Sequence, residues 1–185
     1  DSTTQKSPCR PPLNKVIMSQ NHTLRSAVLL NNQGVAYLEK RKIEKSLDCF
    51  QEALSMCWEP LQENKTLGAE GHSEPSLVRQ DLSAVIKPRD LRADYFSQQL
   101  VGEGGFVYSK ALAINGRLIR PHIDTFSLLS YVAIFNLALC HHMEGVTTSS
   151  ESSLRNAFRL YELAHISMVQ GGNEDILLFL AVANN

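Results

Sequence analysis

The chain lacks the spacings that usually mark chemistry. Its four cysteines, Cys9, Cys49, Cys57 and Cys140, form no C-x-x-C pair, and no histidine follows one at a zinc-ligand spacing. The reading is four reduced thiols, with Cys140 buried as a small hydrophobe. Neither G-x-S-x-G nor H-E-x-x-H occurs. Gly102-Glu103-Gly104-Gly105 lacks the Lys-Ser/Thr of a phosphate loop and precedes a strand-like run instead of a helix. Excess charge is missing too: the formal net charge is -1, so no global field draws in nucleic acid or an anionic membrane. Long apolar runs are scarce. The longest, Leu128 to Cys140, is broken by Ser130, Tyr131 and Asn136 and reads as too short and too polar to span a bilayer. No signal peptide is visible. The chain begins at Asp1 and stops inside an apolar segment, Ile176 to Asn185, so both ends read as truncations. The expectation is a soluble intracellular protein, or an organellar one if a targeting segment has been removed.

What is present suits a globular chain of 185 residues, 43% hydrophobic and 20% charged, able to bury a core without disulfides or metals. Residues 1–25 are expected to be an extended or disordered arm. Ala27, Leu30, Gly34 and Tyr37 follow three- and four-residue steps, Lys40-Arg41-Lys42 forms a polar turn, and Ile43, Leu47, Phe50, Ala53 and Leu54 restart the period. The spacing predicts a helical hairpin over 26–58. Pro60, Gly68, Gly71, Pro75 and Pro88 mark an irregular insertion over 59–124. Within it, Leu77 to Ile86 suits a short helix. A strand is expected over 105–114, where Asn115-Gly116 suggests pairing with Arg117 to His122 or with another extended segment. Helical signal returns from Thr125 and ends at Gly145. A Ser/Thr loop, Val146 to Ser153, precedes a further helix capped by Ser150 or Ser152, completing a second hairpin over 125–170. Residues 173–185 open another helix.

The two hairpins repeat one pattern. The first carries Leu30-x-x-Gln33-Gly34-x-x-Tyr37 and then Ser46-x-x-x-Phe50-x-x-Ala53. The second carries Ile134-x-x-Leu137-Ala138-x-x-His141 and then Ala157-x-x-x-Tyr161-x-x-Ala164. Small residues at Gly34, Ser46, Ala138 and Ala157 permit close helix approach, and bulky ones fill the space between units. Ala138 and Ala157 are 19 residues apart against 12 for Gly34 and Ser46, so the second hairpin holds a seven-residue insertion. This pattern resembles the tetratricopeptide repeat (TPR), and the runs LLNNQG, IFNLALCHH and AFRLYELAH resemble divergent TPR-like proteins of algae. Gln33 and Trp58 depart from the usual Leu and Pro. The resemblance covers about half the chain. Asn184-Asn185 repeats Asn31-Asn32 and suggests a third, truncated unit.

The resemblance implies a mainly α fold, an α-solenoid whose concave surface holds a protein partner without catalysis or cofactor. Position by position it places the groove at Asn31, Asn32, Val35, Leu38 and Glu39, then at Val132, Phe135, Asn136, Leu139, His142 and Met143, with Asn185 equivalent to Asn32 and Asn136. An amide both donates and accepts, so these asparagines suit a peptide backbone of any sequence. Caps or bridges between helices are the competing use. The basic residues of a carboxylate clamp are missing, so the groove is apolar and suits a partner helix, an extended apolar segment or the chain's own insertion. A fixed subunit of a larger assembly is the alternative function. His141 and His142 point about a hundred degrees apart on a helix and do not share a metal. His141 reads as a core residue, and the pair His122 and Asp124 lacks a third ligand.

Overall fold

The structure, a computed structural model, describes residues 13–66, 85–91, 110–119 and 123–170. These are mainly helical: α1 (Leu13–Glu39), α2 (Ile43–Thr66), α3 (Ile123–Thr148) and α4 (Glu151–Gln170), with strands β1 (Ile86–Asp90) and β2 (Lys110–Ile114) between the second and third helices. Each helix packs on its neighbour in sequence, α1 on α2, α2 on α3 and α3 on α4, and α1 also touches α3.

Periodicity decides α1: Leu24, Ala27, Val28, Asn31, Val35 and Leu38 are buried at helical steps. The helix begins at Leu13, so residues 13–25, expected to be an extended arm, continue it. On α2 the buried set is Ser46, Cys49, Phe50, Ala53, Cys57 and Pro60. This helix runs through Pro60 to Thr66, past the end expected at residue 58. Both helices turn at Arg41, whose φ of 60° is the left-handed conformation that closes a helix C-terminus. The four small repeat residues lie inside: Ser46 and Ala138 are 0% exposed and Ala157 3%. Gly34 is buried as well, and a Cβ there would lie 2.6 Å from Phe50 Cε1.

In the second hairpin the seven extra residues form helix instead of the expected Ser/Thr loop. α3 continues through Gly145 to Thr148, and α4 starts at Glu151 after a turn at Ser149 and Ser150. Seven residues are close to two helical turns, roughly one on each arm, so Ala138 and Ala157 keep their facing positions. Gly145 does not end the helix; a Cβ on it would meet Leu154 Cγ at 2.6 Å, so it allows α4 to approach. Ser150 caps α4, its Oγ accepting from Ser153 N at 3.3 Å.

Two further expectations change. α3 is 26 residues long, and its stretch Thr125–Thr148 is long and apolar enough by composition to cross a membrane, although 78% of that window is buried inside the protein. The run judged too short is therefore part of a longer helix that is covered nearly all round. The expected strand is present at 110–114, but its partner is β1, antiparallel, with Ile86 opposite Ile114 and Asp90 opposite Lys110. Arg117 and Leu118 sit in a turn, so among the described residues no hairpin forms about Asn115-Gly116; Val85 is helical, one residue before the helix end expected, and Ile86 opens the strand. Residues 1–12, 77–84, 105–109 and 173–185 lie outside the described residues, and the expectations placed there go no further.

Candidate functional site

Asparagines from both hairpins converge on one strand. Asn31 and Asn136, each 0% exposed, face each other from α1 and α3, Asn136 Nδ2 donating to Asn31 Oδ1 at 3.0 Å. Asn136 Oδ1 accepts from the Leu112 N–H at 2.9 Å, and its Nδ2 donates to the Leu112 carbonyl at 2.9 Å. Asn31 Nδ2 donates to the same carbonyl at 3.0 Å. Two residues along, Asn32 repeats the pattern. Its Nδ2 donates to the Ile114 carbonyl and its Oδ1 accepts from the Ile114 N–H, both at 2.7 Å.

Strand alternation then assigns the other edge of β2. Leu112 and Ile114 turn their main-chain groups to the helices, so Ala111 and Ala113 turn theirs to β1, where they face Arg89 and Lys87. Asn115 N donating to Val85 O at 2.7 Å extends the same side of the ladder. Pro88 therefore falls where its missing N–H is not needed for pairing with β2. Asn32 and Asn136 hold equivalent repeat positions and each grips one residue, two apart on the strand. Two residues of strand advance about 6.8 Å, comparable with the spacing of packed helices. The strand runs from the α3 end of this array towards α1.

Around the amides the wall is apolar. Val35, Leu38, Val132, Phe135, Leu139 and Met143, named from the repeat pattern, belong to the same buried cluster as Leu112 and Ile114. Glu39 is exposed and borders a cleft of about 210 Å³ shared with Asn32, Val35, Lys87 and Arg89. His142 is half-buried, edge-on to the Tyr161 ring at 6.2 Å, and burial lowers its pKa. Of the residues the sequence placed on one surface, Asn31, Asn32 and Asn136 meet the main chain of β2, and Val35 and Glu39 share the cleft with Ala113 and Ile114; His142 lies against Tyr161 of α4 instead, and Asn185 lies outside the described residues. Val85, Ile86 and Leu91 on the β1 segment are equally buried but belong to no repeat pattern, so the repeat gave no sign of them.

Reactive groups are sparse nearby. Cys57 and Cys140 are fully buried, and burial pushes both thiols up, Cys57 to about 12. Cys49 shifts the same way, through burial first and then the Glu52 and Asp48 charges. Among the described residues no group of three or more His, Cys, Asp or Glu side chains stands ready to hold a metal. His141, expected in the core, is half-buried with Nδ1 3.5 Å from Glu144.

The chain matches no family model, no curated protein and no solved structure.

Proposed function

We propose that the chain is a non-catalytic protein-interaction scaffold of the TPR-like type. Its stacked hairpins act as a short solenoid that grips an extended protein segment by the main chain. The carrying observation is the set of five hydrogen bonds from Asn31, Asn32 and Asn136 to the main chain of Leu112 and Ile114. Those bonds use no side-chain atom of the strand, so they favour extended conformation without selecting sequence. Selection falls to the apolar wall.

The test is binding of a fluorescent library of extended decapeptides to the parent chain and to an Asn32→Ala/Asn136→Ala variant. Peptides with alternating apolar residues should be retained by the parent and lost by the variant. Equal retention by a folded variant counts against the groove. A second reading, a structural subunit of a larger multiprotein assembly, draws on the exposed apolar side chains Leu154, Phe158, Leu163 and Ile166 of α4. Phe158, 70% exposed, is the largest of them. A chain that sediments as a stable monomer at high concentration opposes that reading.

A further inference from the structure

We propose that β2 is a built-in competitor: the groove's partner is an extended segment in which small and aliphatic residues alternate, and it binds by taking the place of Ala111-Leu112-Ala113-Ile114. This rests on the reading of the groove as a main-chain clamp and adds what fills it and what regulates it.

Three observations carry the inference. First, the strand is held on its inner edge by side-chain amides of α1 and α3, not by another strand. Amides rooted in helices persist when the strand leaves and can re-form the same bonds to any extended backbone. Second, the buried part of the occupant is small. Leu112 is 0% and Ile114 4% exposed, flanked by Ala111 at 0% and a half-buried Ala113. That pattern defines the ligand: two aliphatic side chains two residues apart, separated and preceded by small ones. Third, only eight residues separate Ile114 from α3. A tether that short holds the strand at an effective concentration on the order of millimolar. The competitor is thus always present, and an incoming segment has its apparent affinity reduced by the fraction of open grooves.

The same geometry sets polarity. The incoming segment runs as β2 does, its first aliphatic residue at Asn136 and its second at Asn32. Partners whose extended segments are polar at those two positions are refused by the apolar wall. Partners too weak to compete with the tethered strand leave the groove closed.

The test uses a labelled synthetic peptide of residues 108–117 against the full chain and against a Leu112→Asp/Ile114→Asp variant, which weakens the strand and leaves every groove residue intact. Anisotropy should show the variant binding the peptide at least tenfold more tightly than the parent. A peptide carrying the same two aspartates should bind neither. Amide exchange on the parent supplies a measurement independent of that variant's folding: as peptide saturates the parent, the Leu112 and Ile114 amides should lose protection. Equal affinity for both chains, or bound peptide with those two amides still protected, overturns the competition. If Asn136→Leu abolishes such binding, the clamp itself survives. Absence of binding to the folded variant at millimolar peptide overturns the clamp and the competition together.

Discussion

Asn136 carries more of the site than any other single residue. Its amide satisfies both main-chain groups of Leu112 and one oxygen of Asn31, all out of solvent. Asn136→Leu keeps the volume and leaves the Leu112 N–H buried without its acceptor. A lost charge-free bond costs about 1 kcal/mol, and an orphaned buried group adds about 1–3 kcal/mol. The expected loss is about 2–4 kcal/mol by urea denaturation. Asn32→Leu should cost less, about 1–2 kcal/mol, because Asn32 is only half-buried and water reaches the vacated groups. His142 supplies a pH dependence. Burial holds its native pKa below the ordinary histidine value of about 6.5, so the native ring stays neutral while the unfolded chain takes up a proton as pH falls through that value. The unfolded state then binds more protons, and stability declines on acidification. The parent's urea midpoint should fall more steeply between pH 7 and pH 5 than that of His142→Gln. A dual-capacity amide also explains why the sequence left two uses open for these asparagines. The structure shows the bridge, from Asn136 to Asn31, and beside it a grip on the chain's own Leu112.

At the scale of the element, close packing and turn geometry make separate predictions. Gly34 lies against the Phe50 ring, with added Cβ distances of 2.6, 2.8 and 2.9 Å. Gly34→Ala gains up to about 1 kcal/mol of helix propensity but forces the buried ring to move, which costs about 1–3 kcal/mol. The clash should prevail, giving a net loss of stability in thermal melts, and Phe50→Leu should convert the same substitution into a gain. Arg41 presents the opposite case. Its φ of 60° favours glycine, its side chain is exposed, and Arg41→Gly should raise stability by about 0.5–1 kcal/mol in chemical denaturation. Helix boundaries are the least legible feature of the sequence for a related reason. Gly145 and Pro60 normally stop a helix, but here Gly145 is needed for contact with Leu154, and α2 continues beyond Pro60. A residue type shows that backbone freedom is unusual at a position, without showing whether a turn or a close approach uses it.

Across the whole molecule α2 packs on α3, and the strand spans the two hairpins beside that contact. β2 is bonded to α1 and α3, and its side chains sit in the cluster that also holds Phe50 and Cys57 of α2. Leu112→Ala empties the middle of that cluster and should cost about 2–5 kcal/mol, with helix loss followed by far-UV circular dichroism remaining one cooperative transition. Two separated transitions would show that the hairpins fold independently of one another.

The sequence by itself determined the two helical hairpins, their small contact residues and the face on which the asparagines lie. Those features depend on neighbours three, four or a few dozen residues apart, and burial repeats at the helical period. Only the tertiary structure decided that β1, not the segment after Asn115, pairs with β2, and that Leu112 and Ile114 occupy the groove. Asn32 and Ile114 are 82 residues apart, Asn31 and Leu112 81, and no local period records such a distance. Main-chain groups are the same at every residue, so a clamp that grips them leaves almost no mark on the sequence of the strand it holds.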